Sequence, residues 1–171
     1  FRAEEAGWPF SYPIAINKTK LAQVFQETQT VLNQCFYRVH GKTIHLDLKP
    51  MKRGTKVWTH RALKEAFESL INAGKLQQYT QNDYDLFEVV NADTVEVGRR
   101  LQKGKCNPLL LNMANRYHVG GGVINGSQAQ EEELCRTTAL YVSLNQQCVL
   151  DQMKNGGQYL IPEFGCIYSP S

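Results

Sequence analysis

Pro108-Leu109-Leu110-Leu111-Asn112-Met113-Ala114-Asn115-Arg116-Tyr117-His118-Val119-Gly120-Gly121-Gly122-Val123-Ile124-Asn125-Gly126-Ser127-Gln128-Ala129-Gln130-Glu131-Glu132-Glu133 runs from apolar residues, through glycines, into charge. The apolar run over 108–113 predicts a strand in a sheet buried on both faces. From Ser127 onward the sequence predicts a helix. Gln130 to Glu133 lie in its first turns, and Leu134, Leu140, Tyr141 and Leu144 supply apolar contacts. Open α/β sheets bind ligands beyond the carboxyl ends of their strands, where these glycines fall. Gly120, Gly121 and Gly122 carry no Cβ, so a ligand can approach the backbone, and exposed N–H groups can donate to phosphate or ribose oxygens. The helix N-terminus adds partial positive charge.

Upstream, Leu21, Val24, Phe25, Thr28, Val31 and Leu32 recur at i, i+3, i+4, which predicts an amphipathic helix over Thr19–Val31 capped by Asn17 or Thr19. Before it, residues 1–17 read as an extended arm broken at Trp8-Pro9 and Tyr12-Pro13. Phe36–Val39 is a short apolar run, Gly41-Lys42 a turn, and Thr43–Leu48 alternates as a half-buried strand, with Lys56–Thr59 a further candidate. Further helices are predicted over Arg61–Gly74 and Asp93–Gln102, with a strand over Tyr84–Asn91 between them. Helices alternating with buried strands imply an α/β sandwich with a largely parallel or mixed sheet.

The 171 residues form an ordinary globular composition, 42% hydrophobic and 20% charged. No apolar run reaches the ~20 residues of a membrane helix. The net charge of +3 suits an anionic ligand and is too weak to establish nucleic-acid binding. The cluster Lys49-Pro50-Met51-Lys52-Arg53 reads as a solvated loop, with phosphate contact as the other reading. Cys35, Cys106, Cys135, Cys148 and Cys166 are odd in number and widely spaced, and the four histidines form no ligand pattern with them. No metal site and no cofactor is expected, and reduced thiols in a cytoplasmic or otherwise intracellular compartment are the default.

Gly120-Gly121-Gly122, then seven residues, then Gln130-Glu131-Glu132 resembles the signature of poly(ADP-ribose) glycohydrolases. The longer stretch from Asn112 to Arg136, the first helix, the Thr43–Leu48 strand and Gly165-Cys166-Ile167-Tyr168-Ser169-Pro170 resemble the bacterial, or microbial, branch of that family. The resemblance implies a macrodomain-like three-layer α/β/α sandwich with a mixed sheet. Residues 1–82 would form an N-terminal helical extension with accessory strands, and 83–171 the first part of the core. It implies metal-free cleavage of the ribose–ribose O-glycosidic bond of poly(ADP-ribose), releasing ADP-ribose. Glu132 would be the catalytic acid, with Glu131 bonding ribose hydroxyls and Asn115 holding the terminal ribose. Gly120 to Gly122 with Val123 would wrap the ribose and diphosphate, and Gln130 would also face the ligand. Partners would be ADP-ribose, its polymer and ADP-ribosylated proteins.

The chemistry of the residues agrees. A carboxylic acid can protonate the leaving oxygen and then take a proton from the attacking water. Burial and a neighbouring carboxylate raise its pKa, and the helix dipole opposes both. Successive helical residues point about 100° apart, so Glu133 is expected to face solvent while one or two of the others face the glycines. Family members also carry a second glycine-rich loop with a Phe, and nothing after Glu132 resembles it; Gly156-Gly157 reads as a turn. The core is therefore expected to be incomplete toward the C-terminus, with a second polypeptide or a C-terminal segment completing it. Other readings are an ADP-ribose reader without turnover, a hydrolase of protein-linked mono-ADP-ribose, and an interaction or nucleic-acid-binding domain.

Overall fold

Helix α1 (Lys18–Gln34) opens the described part of the computed structural model, which covers residues 17–76, 88–153 and 159–170. The Asn17 side chain accepts from the Lys20 N–H at 3.1 Å and starts the helix. Cys35, at φ 58°, ends it in the left-handed region. Strands β1 (Phe36–Val39) and β2 (Lys42–His45) then form an antiparallel hairpin, Phe36 opposite His45 and Val39 opposite Lys42. His40 and Gly41 turn it with φ of 47° and 75°, both positive as in a type I′ turn. The strand expected over Thr43–Leu48 thus stops at His45 and is exposed throughout. A two-stranded hairpin has no second layer to cover its alternating face.

The basic cluster is not a loop but a single helical turn, α2 (Lys49–Gly54), which buries Met51 and takes Pro50 in its first turn. Strand β3 (Lys56–Trp58) pairs antiparallel with β4 (Cys166–Tyr168), Val57 opposite Ile167. Helix α3 (His60–Asn72) is capped by Thr59, and α4 (Thr94–Lys103) by Asp93, which accepts from the Val95 and Glu96 N–H groups. Helices α5 (Gln130–Thr137), α6 (Leu140–Leu144) and α7 (Gln147–Leu150) follow the glycines. No helix among the described residues is long and apolar enough to cross a membrane.

The architecture is mixed α/β with small sheets: among the described residues the strands make two separate antiparallel pairs. The sheet expected around 108–113 is not seen among them. That segment has no ladder partner, and its side chains alternate. Leu110 lies against Gly98 of α4, so that a Cβ there would come within 2.9 Å of Leu110 Cδ2. Leu109, Leu111 and Met113 stand 82%, 76% and 76% exposed. Leu110 itself stays 40% exposed, so one face is partly covered and the other is bare. Of the strand expected over Tyr84–Asn91 only 88–91 are described. They carry no strand, and Val89 is fully exposed. The arm over 1–16 and the Gly156-Gly157 turn lie outside the described residues.

The apolar centre sits beneath the glycines. Phe25 of α1, Val123 and Cys135 form it, with Leu140 and Tyr141 against them. The Phe25 and Tyr141 rings meet edge to face, 4.9 Å between centroids and 78° between planes. A second tie is polar. Thr55 Oγ donates to the Met51 carbonyl at 2.8 Å, which uses its only proton. Ser143 therefore donates to Thr55, and Ser169 to Ser143, each at 2.6 Å. This chain of hydroxyls joins α2, α6 and the segment after β4.

Candidate active site

The glycines build a tight, self-bonded turn. Gly120 and Gly121 have φ of 66° and 59°, where side chains are disfavoured. The Gly121 N–H donates to the His118 carbonyl and the Val123 N–H to the Gly120 carbonyl, both at 3.1 Å. The Asn125, Gly126 and Ser127 N–H groups likewise bond back into the turn. The Gly122 N–H goes to a carboxylate, Glu132 Oε1, at 2.9 Å. The expectation that the glycine N–H groups stand free for a diphosphate is thus corrected for Gly121 and Gly122. Missing side-chain volume matters instead. A Cβ on Gly121 would lie 2.6 Å from Glu132 Oε1 and 3.3 Å from Glu131 Oε2. A Cβ on Gly122 would collide with the Ser127 hydroxyl. The glycines let two carboxylates come up against backbone.

Those carboxylates project from the first turn of α5, where the helix dipole favours negative charge. Glu131 is only 3% exposed and Glu132 7%. Glu131 is held on both oxygens: Oε2 accepts from the Asn115 N–H at 2.7 Å and Oε1 from the Asn112 side-chain amide at 3.4 Å. Burial raises its pKa above the ordinary value, outweighing these donors, and the Glu132 charge adds to the rise. Among the described residues Glu132 has one bonded oxygen, leaving Oε2 open. Glu133 turns away, half exposed, and pairs with Arg136 at 3.1 Å.

The raised pKa of Glu131 has a consequence for stability. A folded-state pKa above 4.5 means the folded protein holds this proton more tightly than the unfolded chain. The contribution is fully present below pH 4.5 and is lost as pH rises through the raised value. Glu131→Gln removes the titration. Melting temperatures of wild type and Glu131→Gln should therefore separate as pH rises above 4.5, the wild type falling. Calorimetry across that window checks it, and two parallel curves would refute the assignment.

The other expected site residues divide. Asn115 lies beside the carboxylates, exposed, but its Oδ1 accepts from the Tyr117 and His118 N–H groups at 2.8 and 3.0 Å. Only its amide nitrogen is open to a ligand among the described residues. Gln130 turns to the 108–113 segment: its oxygen accepts from the Met113 N–H at 2.8 Å, and its nitrogen donates to the Leu111 carbonyl at 2.9 Å and the Thr94 hydroxyl at 3.1 Å. Among the described residues, where that segment has no strand neighbour, Gln130 takes up its polar groups. Val123 is fully buried, so its side chain belongs to the core.

Sequence reasoning missed Arg136, Asn112, Cys135 and Tyr159. The Arg136 guanidinium is buried and donates to the Ser127 carbonyl at 2.8 Å, closing the glycine turn on α5. Its own carbonyl accepts from Thr28 of α1 at 2.7 Å. Its place three residues after Glu133 was the available signal. Cys135 has no exposed surface and touches Gly120 from below, and burial pushes its thiol up to about 12. The Tyr159 hydroxyl is buried without a partner among the described residues, and burial raises its pKa, with the Glu131 charge adding to it. Among the described residues no group of three or more His, Cys, Asp or Glu is arranged to hold a metal ion.

A glycine turn closed on paired, buried carboxylates at a helix start defines a class of site, and that class has a family. The family described as "Microbial-type PARG, catalytic domain" matches residues 25–171, and the chain belongs to it. Among solved structures, it is similar to the poly(ADP-ribose) glycohydrolase of Thermomonospora curvata, at 27% identity and a TM-score of 0.60 over 74% of this chain and 45% of that one. A structure of poly(ADP-ribose) glycohydrolase from the same organism, bound to the inhibitor ADP-HPD, shares the fold at 22% identity and a TM-score of 0.59, over 90% of this chain and 63% of that one. The chain thus spans 45% and 63% of these relatives' lengths. No curated protein matches it.

Proposed function

We propose that this chain carries the acid site of a glycohydrolase that cleaves the ribose–ribose O-glycosidic bond of poly(ADP-ribose) and releases ADP-ribose. The observation that carries the reading is Glu132, buried against the Gly122 N–H with one oxygen open beside the glycine turn. Its carboxylic acid gives a proton to the bridging oxygen as the bond to the anomeric carbon breaks. The carboxylate then takes a proton from the water that attacks that carbon, restoring the acid. Products are ADP-ribose and a polymer one unit shorter. Glu131, buried and held by Asn112 and Asn115, presents fixed oxygens to the ribose hydroxyls. Asn115 offers its amide nitrogen to the terminal ribose. Gln130 positions the 108–113 segment, and so Asn112, rather than touching the ligand.

The same reading takes residues 1–82 as an extension bracing the site through α1 and 83–171 as the beginning of a macrodomain-like three-layer core. The bare face of Leu109, Leu111 and Met113 supports this, because a neighbouring strand would cover it. Covering each such side chain is worth about 1.5–3 kcal/mol. Incubation with labelled poly(ADP-ribose) tests the proposal. Free ADP-ribose should accumulate; micromolar binding of ADP-ribose without release would instead make the chain a reader.

A further inference from the structure

A second cleft lies beside the carboxylate site. It encloses about 570 Å³ and is lined by Thr59, His60, Arg61, Arg116, Leu160, Pro162 and Glu163. None of these belongs to the glycine turn or to α5, but Arg116 directly follows Asn115, whose N–H holds Glu131. The two sites therefore adjoin along the chain. Arg61, Arg116 and His60 line this cleft together with one acidic residue, Glu163. Arg116 is fixed in place: its Nε donates to the Ile161 carbonyl and its own carbonyl accepts from the Ile161 N–H, both at 3.0 Å. Its terminal nitrogens form no further bond among the described residues. Among the described residues Arg61 reaches only an exposed i,i+4 partner, Glu65, at 3.6 Å, a weak pairing that an anion can displace.

The rim adds a flat apolar surface. Phe164, next to Glu163, is 79% exposed and sits at φ 52°, a conformation that costs a non-glycine residue energy. Its ring meets His60 edge on, 5.9 Å between centroids. Exposed aromatic rings next to guanidiniums stack purine bases, and guanidiniums bind phosphate oxygens in pairs.

We infer that this cleft binds a nucleoside diphosphate, namely the unit of poly(ADP-ribose) adjoining the one at the acid site. The inference rests on the glycohydrolase reading for the identity of the polymer.

The test compares two ligands on the full chain carrying Glu132→Gln, which prevents turnover: ADP-ribose and an oligomer of several units. Arg61→Glu is expected to weaken the oligomer about tenfold or more, the scale of a charge-assisted contact, and to lower its salt slope by about one. ADP-ribose should keep its affinity within about twofold, since one lost surface ion pair has little effect at a distance. Arg61→Lys should recover part of the oligomer binding. If Arg61→Glu weakens both ligands alike, or neither, the cleft is not an oligomer site. If wild type releases no ADP-ribose from labelled polymer, the glycohydrolase reading fails, and ADP titrated into wild type and Arg61→Glu still decides the cleft. Binding lost in the variant sustains it, while equal binding or none overturns it.

Discussion

Glu132→Gln is expected to lower ADP-ribose release about 10²- to 10⁴-fold, the usual contribution of a positioned acid and base. The melting temperature should hardly move. Gln keeps a carbonyl oxygen for the Gly122 N–H, which Glu132 accepts at 2.9 Å, so the turn stays anchored. What is removed is the proton on the open oxygen. Glu133→Gln provides the contrast, because that side chain is half exposed and turned toward Arg136. Release from labelled polymer, measured for both variants, separates the two neighbours. Equal release by wild type and Glu132→Gln would remove Glu132 from the chemistry.

Gly126→Ala is expected to destabilise the protein by about 3 kcal/mol or more, well above a typical surface substitution. Gly126 sits at φ 72°, and a Cβ there would overlap the Lys18 carbonyl oxygen and lie 2.7 Å from its carbon. The obstacle is backbone, so no rotamer change relieves it. Helix α1 must move away from the glycine turn, taking Phe25 out of the core. Gly41→Ala isolates the conformational part: φ is 75° there, with nothing within 4 Å. It should cost only the left-handed penalty, about 1–2 kcal/mol. Urea denaturation of the two variants measures the difference. Equal losses would mean that α1 is not pinned at Lys18.

The local signals in the sequence served where neighbours in the chain decide the outcome. Asn17 and Asp93 each cap a helix, because capping needs only the next few N–H groups. The glycines beside Glu131 and Glu132 were legible for a similar reason, since loop and helix adjoin in the chain. Long-range pairing was not legible. The apolar run 108–113 suits a buried strand, yet burial depends on neighbours that the described residues do not provide. A cation in the last turn of a helix is common, so Arg136 carries no sequence mark of its distant partners. Only the fold brings the Ser127 carbonyl and Thr28 to it. The glycines themselves were read as donors, whereas their N–H groups largely serve the turn and their value is the space they leave.

Cys135 lies under that turn, in contact with Gly120, and its place gives the molecule a built-in gauge. Thiol reagents attack the thiolate, which is scarce at neutral pH for a group pushed up to about 12. The exposed Cys35, Cys106, Cys148 and Cys166 have no such shield. Slow alkylation at Cys135, followed residue by residue, therefore times the lifting of the glycine turn from α5. A ligand that clamps the turn would lengthen that interval without any catalytic event being measured.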